Sequence, residues 1–506
     1  MPSTFTKSLV CLFLLSTAFA QQEAQDMPLN DLDEVTQQFE PLIEDYDLET
    51  PSGEKRLLKN FNNLRIGIDY EHVDNGAGTA SFKTYIKSQL IPAVVDYLQG
   101  ALKIKYPATS PIKSSARTLC GFSTPAALKE GIDADIVIFF NTKDATGYSW
   151  MAATTLCTVA SGIKRPMIVN IGINTASIKE TDESNPLRHD LNINVLAHEF
   201  IHALGMNGPL YNYFVDDEGN LLKDHIKTAT VNGGSRTVLD LPYLTDRLKS
   251  FYGCDSIPGL VMESGTAHVS RRFFQWDIMS TGGITGSKIS EVTLGFLEGT
   301  GWYVPDYCFA EPYNFGRGAG CDFYSESINS ANYPDEYCTG NGIGCTEVGH
   351  SGGYCVSDSL IKVGRVVTHQ LEFNCENPAG IYYSPFSSKQ VYGRGLGSKC
   401  FSGNLTTGSK ASQTSYCLKF TCEGSGLNTV LNAHWGDDKI VCKKEGPLTV
   451  GSYKGEFNCP DPVKFCSTIG QPTCLRNCMG RGTCLDGKCV CDAGFGGIDC
   501  GFALNV

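Results

Sequence analysis

In the run LNINVLAHEFIHALGM, His198 and His202 stand four residues apart, with Glu199 beside the first. On a helix this spacing puts both imidazoles on one face, one turn apart. Two imidazoles so placed can fill two corners of a tetrahedral zinc site, and the adjacent carboxylate can accept a proton from metal-bound water. This is the sequence form of a zinc peptidase active site, with Glu199 as general base. The competing reading is a core helix that carries two histidines by chance.

The helix is well supported. Apolar residues at Ile193, Leu196, Ala197, Phe200, Ile201 and Leu204 follow a helical period. Asp190, Asn192 and Asn194 are candidate N-caps, and Gly205 is a candidate terminator. A catalytic zinc needs a third protein ligand and keeps its fourth position for water. The compact metzincin continuation, His-x-x-Gly-x-x-His, is met at Gly205 but has Gly208 where the third histidine belongs. An insertion must therefore separate the helix from that ligand. His225 lies in LLKDHIKTAT, which reads as a solvated surface. His268 lies in ESGTAHVSRRFFQWDIMSTGG, which also carries Asp277-Ile278-Met279-Ser280, a candidate Met-turn. His268 is the preferred third ligand. The alternative for Met279 is ordinary core filling.

Taken together, HEFIHALGM, the long insertion and AHVSRRFFQWDIMS resemble the leishmanolysin family of zinc metalloproteases. Other stretches agree: LRIGIDYEHVD (64–74) is similar to the first strand of that family's mature domain, and YSWMAATTLCTVASGIKRPMIVNIGIN (148–174) to the region ahead of its active-site helix. GRGAGCDF (316–323) and KCFSGNL (399–405) are similar to its cysteine-rich C-terminal part. The resemblance covers about residues 60 to 466. It implies one catalytic Zn2+ held by His198, His202 and His268, with Glu199 as general base and Met279 in the Met-turn. It also implies a Cys120–Cys157 disulfide. Two departures stand out. No cysteine lies between Cys11 and Cys120, which puts latency through a propeptide thiolate in doubt, and the chain ends GFALNV, without the hydrophobic tail of a lipid-anchor signal.

Composition fits a secreted enzyme. Residues 1–20 combine Lys7, an apolar run from Leu9 to Leu15 and Ala18-Phe19-Ala20, the pattern of a cleaved leader too short to span a bilayer. No later run is long enough to cross a membrane. The chain holds 22 cysteines; Cys11 leaves with the leader, and the odd 21 that remain predict disulfides plus one free or intermolecular thiol. Cys254 is the best candidate for a long-range partner or for that thiol. The formal charge of −13 becomes −14 without Lys7, and no basic cluster follows a phosphate backbone, so no nucleic-acid partner is expected.

The organisation read from the sequence is a leader (1–20), a propeptide (21–60) with Lys55-Arg56 as a candidate processing site, a metzincin-like catalytic domain (61–304, insertion 206–265), a cysteine-rich domain (305–466) and a small module (470–502). The fold class is α+β, followed by a disulfide-rich, mostly-β region. LRIGID and DIVIFF read as buried strands, and SFKTYIKSQLIPAVVDYLQGAL as a helix kinked near Pro92. RPMIVNIGI is the candidate edge strand onto which an extended substrate would add. Asn404-Leu405-Thr406 is the one glycosylation sequon, expected to be exposed. The last six cysteines are spaced C-x3-C-x5-C-x4-C-x-C-x8-C, which resembles an EGF-like module. That resemblance implies Cys474–Cys484, Cys478–Cys489 and Cys491–Cys500; spacing alone leaves the connectivity open. No acidic cluster precedes Cys474, so calcium is not expected. Such a module reads as a separate spacer or as a docking surface for a cell-surface or matrix partner.

The function expected is secreted zinc endopeptidase acting on proteins or peptides. One rival is an adhesion protein on a protease scaffold. The other is a structural zinc protein closed by a fourth ligand such as Cys254.

Overall fold

The structure, a computed structural model, describes residues 42–44, 48 and 61–504 apart from short interior stretches, the longest being 376–392. The leader and most of the stretch 21–60, with its Lys55-Arg56, lie outside the described residues.

The catalytic part is built on five strands: β1 (Leu42–Glu44), β2 (Ile66–Asp69), β3 (Ile136–Lys143), β4 (Ala152–Ala160) and β5 (Pro166–Asn174), in spatial order β1-β4-β5-β3-β2. β2, β3 and β5 run parallel, and β4 is antiparallel to β5. The near-continuous apolar runs of β3 and β5 follow from burial on both faces. Ile136, Ile138 and Phe140 join the main core, whereas Val137 and Phe139 join a smaller cluster behind the sheet with Leu119, Leu128 and Met167.

RPMIVNIGI, expected at the edge, is a central strand: β5 is flanked by β4 and β3. An apolar strand with β-branched residues suits either place, and only the pairing partners decide. The strand nearer the edge is β4. Its end, Thr158–Ala160, is covered by β1 running parallel to it. Along Ala152–Cys157 the outer edge carries no strand among the described residues.

Three helices pack on the main-core face: α1 (Ile91–Ala101), α2 (Pro186–Leu204) and α3 (Glu291–Gly299). The helical stretch before α1 widens into a π turn at Ile86–Leu90. Pro92 has no N–H to return to the preceding turn, so the regular ladder breaks there. α2 begins earlier than expected. Asn185 is its cap, accepting from Arg188 N at 3.2 Å, and Pro186 occupies the first turn. Asp190, Asn192 and Asn194 therefore lie inside the helix.

The insertion supplies a hairpin, Ile226–Val231 with Gly234–Leu239, and a helix, Leu244–Tyr252. Beyond residue 305 short strands dominate. Lys399–Gly403, Thr414–Leu418, Gly446–Leu448 and Phe457–Cys459 form one sheet and Phe420–Glu423, Val430–Trp435 and Asp438–Cys442 another, around a separate core of Phe401, Tyr416, Leu431, Trp435 and Phe457.

The C-terminal module does not stand apart. Met479 is fully buried in the main core, Arg481 Nε meets Asp96 of α1 at 2.7 Å, and Phe502 stacks on His189 of α2 with ring centroids 4.0 Å apart. Its separate appearance in the sequence came from its own cysteine framework, which says nothing about the outer face.

Candidate metal centre

α2 carries His198, Glu199 and His202, all buried. Gly205 ends the helix at φ 145°, where its N–H returns to the carbonyls of Ile201 and His202. A Cβ there would come within 3.0 Å of Trp302 Cζ3, so the position favours glycine on two counts. The turn brings the Met206 carbonyl back to His202 Nδ1 at 2.7 Å.

His268 arrives from beyond the insertion. Its carbonyl accepts from Glu263 N at 2.8 Å, and the following Val269 N donates to Met279 O at 3.0 Å. The three Nε2 atoms of His198, His202 and His268 converge, at 3.0, 3.0 and 3.1 Å from one another. Ligand nitrogens about 2.05 Å from a tetrahedral zinc stand about 3.3 Å apart, so the triangle is close to the size the ion requires. The proton placement fits as well. His198 Nδ1 faces Ile278 O at 2.7 Å, as His202 Nδ1 faces Met206 O, and a carbonyl can only accept. Both rings must donate from Nδ1, which leaves the Nε2 lone pairs aimed at the common point. Burial and the two neighbouring imidazoles hold His202 well below the usual histidine range, in its neutral form.

Glu199 points toward β4, where Thr154 Oγ1 lies 2.7 Å from Glu199 Oε2 and 2.9 Å from Glu199 O. One hydroxyl proton serves one of them at a time. Thr154 has no exposed surface, and nothing in the sequence singled it out from Thr155 and Thr158 of the same strand.

The Met279 turn is tied to both sides of the centre: Ile278 O to His198, and Met279 O to the residue after His268. Asp277 shapes it, accepting from Met279 N at 2.8 Å and from the hydroxyls of Ser290 and Thr293. Met279 is fully buried.

The family model described as Leishmanolysin (peptidase M8) matches residues 78–394, which include His198, Glu199, His202, His268 and Met279. The chain belongs to the leishmanolysin family. It is 23% identical to the Caenorhabditis elegans leishmanolysin-like peptidase, over 53% of this chain and 53% of the relative. It is 26% identical to the mouse ciliated left-right organizer metallopeptidase, over 55% and 43% respectively, and 24% identical to the zebrafish protein of that name, over 67% and 57%. The chain thus spans about half the length of the curated relatives it matches.

The remaining candidates fall as follows in this leishmanolysin-family chain. His225 is buried rather than solvated; its Nε2 meets Tyr211 O at 2.7 Å, and it is not among the residues gathered at the centre. The ring of Phe214 lies beside it, with centroids 6.2 Å apart. Cys254 is bonded to Cys321, so it supplies neither a fourth metal ligand nor the free thiol. Among the described residues the unpaired cysteine is the exposed Cys308. The structure pairs Cys120 with Cys157, and the last six cysteines as 474–484, 478–489 and 491–500. Asn404 is half-buried rather than exposed, with Oδ1 accepting from Glu456 N at 2.6 Å. No helix among the described residues is long and apolar enough to cross a membrane.

Proposed function

We propose that this chain is a secreted zinc endopeptidase of metzincin type, with His198, His202 and His268 as ligands and Glu199 as general base. The observation that carries the reading is the convergence of three buried Nε2 atoms, two of them with their tautomer fixed by carbonyls. Zinc, when bound, supplies a Lewis acid that acidifies water and polarises a peptide carbonyl. Thr154 holds Glu199 through Oε2, and the Glu199 carboxylate takes the water proton and hands it to the leaving amine. The substrate is a protein or peptide in extended form, added as a strand along the outer edge of Ala152–Cys157. Met279 forms the floor of the site.

The same reading gives the N-terminal stretch a role. β1 covers Thr158–Ala160, the continuation of the edge assigned to substrate, so residues 21–60 act as a propeptide whose removal lengthens the open edge. Ten disulfides and a leader-like start suit an oxidising, extracellular destination. The last six cysteines form an EGF-like module, and Asn404 is a glycosylation site.

The test is chelation of the purified protein followed by metal return, with cleavage of a denatured protein as readout. Loss of cleavage with the metal and recovery on adding about one equivalent of Zn2+ supports the reading. Cleavage that persists in zinc-free protein contradicts it.

A further inference from the structure

α2 presents Asp190, Asn194, His198 and His202 at four-residue intervals, a single stripe along one face. The last two belong to the metal centre. The first two are gripped by one side chain from the far end of the chain. Arg476 has no exposed side-chain surface; its Nη2 donates to Asp190 Oδ1 at 2.6 Å and Asn194 Oδ1 at 2.5 Å, and its Nη1 to Asp499 Oδ2 at 3.2 Å. Burial pushes the Asp190 carboxyl up, but Arg476 and Lys288 together hold it below the usual range, so the pair is ionised.

The grip continues toward the imidazoles. Asn194 Nδ2 donates to Ser287 O at 3.3 Å. The next carbonyl, that of Lys288, accepts from Ile278 N at 2.8 Å, and Ile278 O receives the His198 Nδ1 proton at 2.7 Å. One buried guanidinium thus braces the catalytic helix and the Met279 turn, whose Ile278 carbonyl orients its first ligand. The turn that delivers it is costly: Arg476, Asn477, Cys478 and Met479 all sit at positive φ. Such a conformation persists where the surroundings over-determine it. Here those are the Cys474–Cys484 and Cys478–Cys489 disulfides and the burial of Met479 in the main core.

We propose that Arg476 is a positioning residue for the metal centre, through which the C-terminal disulfide module fixes the catalytic helix and the orientation of His198. This rests on the reading of the three histidines as zinc ligands. Arg476 itself touches neither ligand nor substrate.

The test compares the full mature chain with R476M, with R476M/D190N and with R481A. The double variant removes the closest charge pair, and the Asp499 carboxylate that remains still accepts from Gly501 N at 2.9 Å. R481A breaks a contact of the same module to Asp96 on α1 and leaves the Arg476 grip on Asp190 and Asn194 in place. The readouts are zinc affinity by chelator competition, kcat and KM at saturating zinc, and the visible spectrum of the Co2+-substituted protein. Both Arg476 variants are expected to lose about 10–100-fold in zinc affinity or kcat, with KM unchanged and the cobalt spectrum altered, whereas R481A matches the wild type. A double variant with wild-type affinity and spectrum would overturn the proposal. So would R481A if it caused equal losses, since any loosening of the module would then do the same. Wild-type protein that binds no zinc would remove the metal-centre reading first, and its zinc content distinguishes that outcome.

Discussion

The chemistry at residue scale depends on second partners as much as on ligands. Thr154→Val removes the hydroxyl that holds Glu199 Oε2 while keeping the side chain's shape. The expected result is a roughly tenfold fall in kcat, about 1.4 kcal/mol, with zinc content unchanged; steady-state kinetics on zinc-loaded protein checks it. Asp277 gives a pH signature. Burial pushes its carboxyl from 3.8 up to about 6, against the bonds from Ser290, Met279 N and Thr293. The unfolded carboxyl then releases its proton at lower pH than the folded one, so stability falls as pH rises from about 4 to about 6 and is level above, a total on the order of 3 kcal/mol. Denaturant midpoints should show that fall in the wild type and lose it in Asp277→Asn. At this scale the histidines were legible because helical spacing alone brings His198 and His202 together. Thr154 was not, because its role depends on β4 lying against α2.

The helix terminus and the strand order decide how the site is presented at element scale. Gly205→Ala would place a Cβ at positive φ against Trp302 and shift the carbonyl that orients His202. A loss of about 1–3 kcal/mol in stability is expected. Zinc affinity should fall with it, as read by thermal unfolding and chelator competition. The strands LRIGID and DIVIFF and the helix stop at Gly205 could be read from local pattern, since burial and backbone chemistry dictate them residue by residue. The helix start was missed although Asn185-Pro186 is a cap followed by a first-turn proline, because three later polar residues offered the same chemistry. RPMIVNIGI was misplaced because pairing is not a local property.

The decisive contacts at the scale of the whole molecule join segments far apart in sequence. His268 reaches α2 across the insertion, β1 lies on β4, and Arg476 reaches α2 from the last module. Long-range pairing of this kind leaves no periodic trace, which is why the module read as a spacer. It also yields a prediction for the N-terminal stretch. Protein trimmed to begin near residue 61 should show a higher kcat/KM on extended peptides than protein beginning at Gln21, because the open edge of β4 then continues through Thr158–Ala160. Equal values for the two forms would mean that β1 is no obstacle to substrate. Calibrated cleavage of one peptide by both forms checks this.

The most direct measurement is hydrolysis of a denatured protein by wild type and Glu199→Gln at equal bound zinc. The account predicts that both hold about one zinc and that only the wild type cuts, with the variant's kcat lower by about a thousandfold or more. A zinc-loaded variant that cuts at the wild-type rate would contradict the assignment of Glu199 as the base.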